Sequence, residues 1–548
     1  MDRSFMHAEI YDESIDTPTW RKPAPRARKA AMALYAWQDP GWAFIAAVLA
    51  ATPFIALAVF SPALLSLAPT TAVIAPIADA RALEAGVAGA AGEAQPFYLF
   101  LLILADKFAD APGRIHLAAK AIAAVLAAYP LAYFASVRLP IAQAVVLTAA
   151  MAAYVIAPFS GPAEMALAYY AVLAVGFLSG PADESWDRAV FEGLLSGGLM
   201  FALWTFNPIF TLAGFLVLSA CPFLTGQNGL TRYVGAFASF IGLCIVAEFS
   251  APGLTMARAS AASALIDEAA RGLSNGAGVW GLAGVAVSTA AVIAAAAVFG
   301  GRDYRRGWLV GAAFLAGSLI AARLAGAQAM PLFVLAAGMA ALSIASPFYD
   351  GVFRDHDRAS IAISGVVAAL TLFWTAAIMT QSVGQLALQF QLSAKADATA
   401  RAAFGLVHPG GARIAEWIEE GRFTTPKAQT LFATAPIDQT SMLLEAAARA
   451  ESLVQGGLDV AILTGADTAC VLVSAKPCVS DGKVAATAAN VVFVPRLDLD
   501  PATKAVKASA EALLYTEFKL AERTRAWDVW VRRGVAVPTD QVRFGKGL

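Results

Sequence analysis

From residue 42 to residue 385 the chain is a succession of apolar runs of about 17 to 25 residues, each long enough to cross a hydrocarbon core as a helix. Runs of that length and number cannot share one aqueous core. Composition points the same way, since 59% hydrophobic and 14% charged residues leave more apolar surface than a soluble fold can hide. The mean hydropathy is +0.64. Beyond residue 389 the long runs stop and the composition turns mixed. The reading is therefore a polytopic α-helical membrane protein, with a cytoplasmic N-terminal segment (1–40), a transmembrane domain (41–385) and a C-terminal α+β soluble domain (386–548).

The formal net charge of −1 gives no basic surface for nucleic acid or another polyanion, and that partner class is excluded. The cluster Arg21, Lys22, Arg26, Arg28 and Lys29 stands well ahead of the first run. A cleaved signal peptide carries its apolar segment directly after its positive start, so the cluster is expected to hold the N-terminus in the cytoplasm.

About twelve apolar segments can be counted, and twelve spans would return the C-terminus to the cytoplasm. The loop Arg302-Asp303-Tyr304-Arg305-Arg306 is the most basic between segments and belongs inside. The runs 307–323, 329–347 and 359–385 then leave the C-terminal domain outside. One earlier segment must fail to span, and 95–108 is the choice, because it is short and Asp106, Lys107 and Asp110 crowd its end. The expectation is thus about eleven spans, the earlier ones near 42–62, 115–137, 140–158, 164–180, 189–205, 208–223, 232–250 and 277–299. The loop 63–114 is external and carries interfacial helices, and the setting is the inner (plasma) membrane.

In the soluble part, 460–463 and 490–495 read as strands, and 439–454 and 501–514 as helices. Cys221 and Cys244 lie in apolar runs, as small hydrophobes do. Cys470 and Cys478 are spaced to close a disulfide across a hairpin in an oxidising compartment, although sequence does not fix pairing. His116, His356 and His408 are too scattered for a zinc site.

The external loop holds the ordered features Leu83-Glu-Ala-Gly86, Gln95-Pro96-Phe97-Tyr98, Arg114 opening an apolar helix, Arg138 before the next, and Gly161-Pro-Ala-Glu164 opening a third. This order and spacing resemble the GT-C superfamily of integral-membrane glycosyltransferases, and most of all its protein O-mannosyltransferase and aminoarabinose lipid A transferase branch. The resemblance covers about residues 42–225, and Trp204-Thr-Phe-Asn-Pro208 falls where that branch carries a Thr-Lys-Gly turn. It implies transfer of a sugar from a polyprenyl-phosphate donor to a periplasmic acceptor, which is a lipid, glycan or protein.

By the same resemblance Asp79 is the candidate base, and Glu164 a second carboxylate that orients the acceptor or a divalent cation. Arg114 is the phosphate partner, since its planar fork matches phosphate oxygens. Gln95, Tyr98, Lys120, Glu84 and Asn207 are further substrate-binding candidates. The sequence departs from the pattern at the expected Asp-Glu pair, which falls on Thr71-Ala72, and at Gln95, where the branch has Lys or His. A second reading follows: a catalytically inactive accessory protein that binds a lipid-linked sugar or a cell-envelope partner. A secondary transporter is the third class, but no paired halves are visible.

Each candidate has a plainer rival. Asp79, Arg81 and Glu84 fit the solvated face of an amphipathic helix. Glu164 fits an acid at a helix start, and Arg114 an interfacial anchor. Lys120 lies deeper in the same run as Arg114, where a charge requires a partner or a wet cavity.

Overall fold

The computed structural model of the protein describes residues 40–61, 64, 70–85, 96–109, 111–138, 141–158, 160–178, 185–250, 321, 322, 324, 376, 378–391, 393, 436–473, 481–496, 501–524 and 526–537. Within them the protein is mostly helical, with one small sheet. Its first part comprises α1 (Pro40–Phe60), α2 (Thr70–Glu84), α3 (Pro96–Asp106), α4 (Pro112–Arg138), α5 (Ile141–Ile156), α6 (Pro162–Leu178), α7 (Trp186–Phe206) and α8 (Pro208–Ser250). Proline opens five of these helices, at the position where its missing N–H costs nothing.

Among the described residues four helices are long and apolar enough to cross a membrane: α1, Pro112–Val137 of α4, α7, and Gly229–Phe249 of α8. Helices α3, α5, α6 and the opening stretch of α8 are shorter and apolar. In α1 the residues Ala43, Ala47 and Ala51 recur every fourth position and are buried, while Trp42, Leu49 and Phe60 are exposed. That small-residue stripe lets α1 lie close against its neighbours, and Ala51 packs with Ala128 of α4 and Ala152 of α5. The bulky residues face outward.

Helix α8 is not straight. Phe215 and Phe237 would be about 33 Å apart in a straight helix, yet their rings lie 6.4 Å apart, and Phe215 is 5.4 Å from Phe240. The run therefore turns back on itself between Ser219 and Gly229, a stretch that includes Pro222 and Gly226, residue types that interrupt a helix. Two arms result, in line with the two spans expected at 208–223 and 232–250.

The second arm runs parallel to α7 at close range. Ser239 Oγ donates to Leu194 O at 3.0 Å. A Cβ on Gly193 would sit 2.7 Å from Arg232 O, and one on Gly197 would meet Ala236 O and lie 2.5 Å from Ser239 Cβ. Backbone cannot yield as a side chain does. Gly197→Ala is thus expected to cost about 1–3 kcal/mol by forcing the helices apart, read as a lower unfolding temperature in micelles, whereas Gly198→Ala, with open space around it, should be neutral.

The C-terminal part comprises α9 (Pro436–Gln455), β1 (Val460–Ile462), α10 (Ala469–Leu472), α11 (Gly482–Ala488), β2 (Val491–Pro495), α12 (Pro501–Glu517), β3 (Phe518–Arg523) and β4 (Trp527–Arg532). Gly457 ends α9 at φ +81, with its N–H on Val454 O and the Leu458 N–H on Leu453 O, the paired closure that favours glycine. The sheet order is β1-β2-β4-β3, with β1 and β2 parallel and the other pairs antiparallel. Alternation along the strands gives two buried faces. Ile462, Phe493, Trp527 and Val529 join the cluster that includes Leu443 and Ala446 of α9, while Ala461 and Val492 pack with Ala486 of α11 and Ala510 and Leu514 of α12. Trp527 Nε1 donates to Met442 O at 2.8 Å and pins α9 to the sheet.

The expected strands at 460–463 and 490–495 match β1 and β2, and the expected helices match α9 and α12. The chain is helical on both sides of the expected boundary at 385/386. Helix continues through residues 378–391, because Leu386-Ala-Leu-Gln-Phe has the helix formers to carry it past the end of the apolar run. Nearly all of the N-terminal segment 1–40, the spans at 277–299 and 329–347, most of the spans at 307–323 and 359–385, and the basic loop at Arg302 lie outside the described residues.

Candidate functional site

Helices α2 and α3 and the C-terminal sheet domain meet at one end of the helix bundle. Arg81 of α2 holds Asp106 of α3 through two 2.8 Å bonds, from Nε and Nη2, and its Nη1 donates to Cys470 O of α10 at 3.2 Å. Helices α9 and α10 also pack on α2. Phe97 of α3 lies edge-on to Tyr169 of α6 and Phe206 of α7.

Beneath this lid-like assembly α4 presents three basic side chains from its first turns. Arg114 Nη1 donates to Ser61 O at 2.9 Å, just past the end of α1, where carbonyls lack helical partners. Tyr98 Oη of α3 lies 2.8 Å from His116 Nδ1. Lys120 is 1% exposed, and its Nζ donates to Ala157 O at 2.8 Å and Pro158 O at 3.3 Å. Those carbonyls follow the last residue of α5, so the ammonium satisfies orphan acceptors at the negative end of that helix.

The turn from α5 to α6 is fixed from its other side by Glu164. Gly161 is the residue before α6, Pro162 the first within it and Glu164 the third. Glu164 Oε2 accepts from Gly161 N–H at 2.9 Å, the backward half of a capping box. Ser160 Oγ donates to Tyr154 O. Lys120 and Glu164 thus hold the same turn through different backbone groups, without an ion pair between them. Tyr154 Oη is buried and has no hydrogen-bond partner.

Of the residues singled out from the sequence, Tyr98, Lys120 and Glu164 are thus brought to one end of the bundle, with Arg114 nearer the start of α4. Asp79 lies half-buried on α2. Glu84 is exposed and pairs with Lys107 at 3.8 Å. Asn207 sits between α7 and α8, where its Oδ1 accepts from Ile209 N–H at 3.1 Å and caps α8 ahead of Pro208. Gln95 and Thr71-Ala72 have no described side chains, and Arg138 ends α4 with its side chain likewise outside the description. Among the described residues no three His, Cys, Asp or Glu side chains gather to hold a metal ion.

Sequence reasoning missed three residues. Arg81 was legible only as part of a charged helix face, while its partners lie on α3 and in the C-terminal domain. His116 was weighed solely as a zinc ligand. Tyr154 carried no signal, since a tyrosine in an apolar run reads as core. Compared with protein-family models, curated proteins and solved structures, the chain matches none of them.

Proposed function

We propose that the protein transfers a sugar from a polyprenyl-phosphate donor to an acceptor hydroxyl at the outer face of the inner membrane. The observation that carries this reading is the placing of Arg114 and Lys120 on the first turns of α4, with Glu164 in the α5–α6 turn that Lys120 holds. In the proposed topology the N-terminus is cytoplasmic, about eleven helices span, and the C-terminal domain is periplasmic. The disulfide bond of Cys470 supports an oxidising compartment for that domain; its expected partner Cys478 lies outside the described residues.

In the reaction the acceptor oxygen forms a bond to the anomeric carbon as the bond from that carbon to the phosphate oxygen breaks. Polyprenyl phosphate departs with the electron pair, and the acceptor proton passes to a carboxylate, Asp79 or Glu164. Arg114 has guanidinium N–H groups beyond the one given to Ser61, and these suit the leaving phosphate.

Membranes carrying the protein should transfer radiolabelled sugar from a polyprenyl-phosphate donor, and the variant lacking the base should lose activity by about a hundredfold or more. Glu164→Gln is the informative change, because glutamine still accepts from Gly161 N–H and keeps the start of α6. Asp79→Asn is its counterpart on α2. Wild-type rates in both variants would remove the residue assignments, and no transfer by the wild type would remove the activity.

A second reading, an accessory protein that binds the lipid-linked sugar without turnover, is favoured by one observation. Several of the predicted chemical groups already serve the fold, Glu164 at the start of α6, Arg114 at the end of α1 and Asn207 at the start of α8. Donor binding by the wild type with no turnover would select it.

A further inference from the structure

We propose that Tyr154 Oη, Lys120 Nζ and the Glu164 carboxylate form a subsite for a hydroxyl group of a sugar, and not for its phosphate. The glycosyl-transfer reading supplies only the identity of the alcohol; the subsite itself rests on the three side chains.

Tyr154 is 8% exposed and its hydroxyl has no protein partner, which is costly for a buried donor and is uncommon without a reason. Lys120 gives two of its three N–H groups to Ala157 and Pro158 and keeps one. Glu164 gives Oε2 to Gly161, leaving its other oxygen as an acceptor. Lys120 and Glu164 hold the same short turn through different backbone groups and form no ion pair with one another, and Ser160 Oγ ties the backbone of Tyr154 to that turn. Two donors and one anionic acceptor therefore remain at the end of the α5–α6 turn.

That set selects the chemistry of its ligand. The phosphodiester of the donor offers oxygens that only accept, and the carboxylate would repel its negative charge, as it would that of inorganic phosphate. A sugar hydroxyl accepts from the phenol or the ammonium and donates to the carboxylate, so one group satisfies both signs. The phosphate then belongs to Arg114, nearer the start of α4, which keeps the charges of donor and carboxylate apart.

The test uses Tyr154→Phe in the full chain, purified in a zwitterionic detergent without sugar headgroups. Thermal unfolding is measured first, and then binding of D-mannose, D-glucose and inorganic phosphate. Because the hydroxyl has no partner to lose and its burial is costly, the variant should unfold at or above the wild-type temperature. It should bind the better monosaccharide about tenfold more weakly, the worth of one hydrogen bond, with phosphate binding unchanged. A lowered unfolding temperature would mean that the phenol is structural and would overturn the proposal. So would equal sugar affinity in the two proteins, absence of sugar binding by the wild type, or loss of phosphate instead of sugar. Sugar binding that depends on Tyr154 in a protein with no transferase activity would retain the subsite and discard the transfer reaction.

Discussion

Glu192→Ala is expected to destabilise the helix bundle by about 3–5 kcal/mol, the cost of breaking a buried ion pair by removing one partner. Glu192 sits on α7 with Arg232 of the second α8 arm at 2.7 Å and Arg188 at 3.3 Å, and both Glu192 and Arg232 are 1% exposed. The pair also selects one alignment of the parallel helices: Gly193 and Gly197 allow the approach, and the ion pair fixes its register. Removing both charges tests this account. Glu192→Leu with Arg232→Leu should recover most of the loss, since a buried pair replaced by apolar side chains is often neutral or stabilising. Thermal unfolding in micelles, with the monodisperse fraction as a second readout, measures each. A single variant as stable as the wild type would show that the charges are hydrated and that packing alone holds the arm.

The long apolar helices were legible because their signal is local. A run of apolar residues in a chain of this hydropathy has one solvent available to it, and the expected ranges 42–62, 115–137 and 189–205 fall within two to three residues of α1, α4 and α7. The split was legible as two separate apolar runs, 208–223 and 232–250, although the helical hydrogen bonding continues across the reversal. Strands β1 and β2 were legible because both faces are covered, which leaves a continuous Val-rich run. Strand β3 was not, since it is the edge of the sheet and carries Lys519, Glu522 and Arg523, charges that protect an edge and erase the apolar pattern.

The site divides along the same line. The Gly161-Pro162-x-Glu164 spacing states the capping role of Glu164 within four residues. Lys120 announced itself as a charge that must find partners, but the carbonyls it finds are those of Ala157 and Pro158 on another helix. Arg81 bridges to Asp106 and Cys470. Such contacts depend on topology, and no window of sequence contains them.

Asp467 gives the C-terminal domain a pH dependence of predictable sign. Its carboxyl is 3% exposed in the loop after β1, and burial pushes its pKa up to about 6, against the opposing effect of the Ala469 and Ile462 N–H groups that Oδ1 accepts from. The unfolded chain loses this proton near the ordinary value of 3.8, so between the two values the folded state holds a proton that the unfolded state has released. Stability from this group is therefore fully present at low pH, falls as pH rises from about 4 through about 6, and levels off above about 7, by about 3 kcal/mol in all. Asn at position 467 keeps an oxygen for the same two N–H groups and carries no charge. Asp467→Asn is expected to be more stable than the wild type at pH 7, with no slope across that window. Hydrogen exchange of the β1 and β2 amides in the full chain, corrected for the intrinsic pH dependence of exchange, reads the difference. Wild-type protection that rises from pH 4 to pH 7 would mean that the anion is the favoured form, and that those N–H groups outweigh the loss of water.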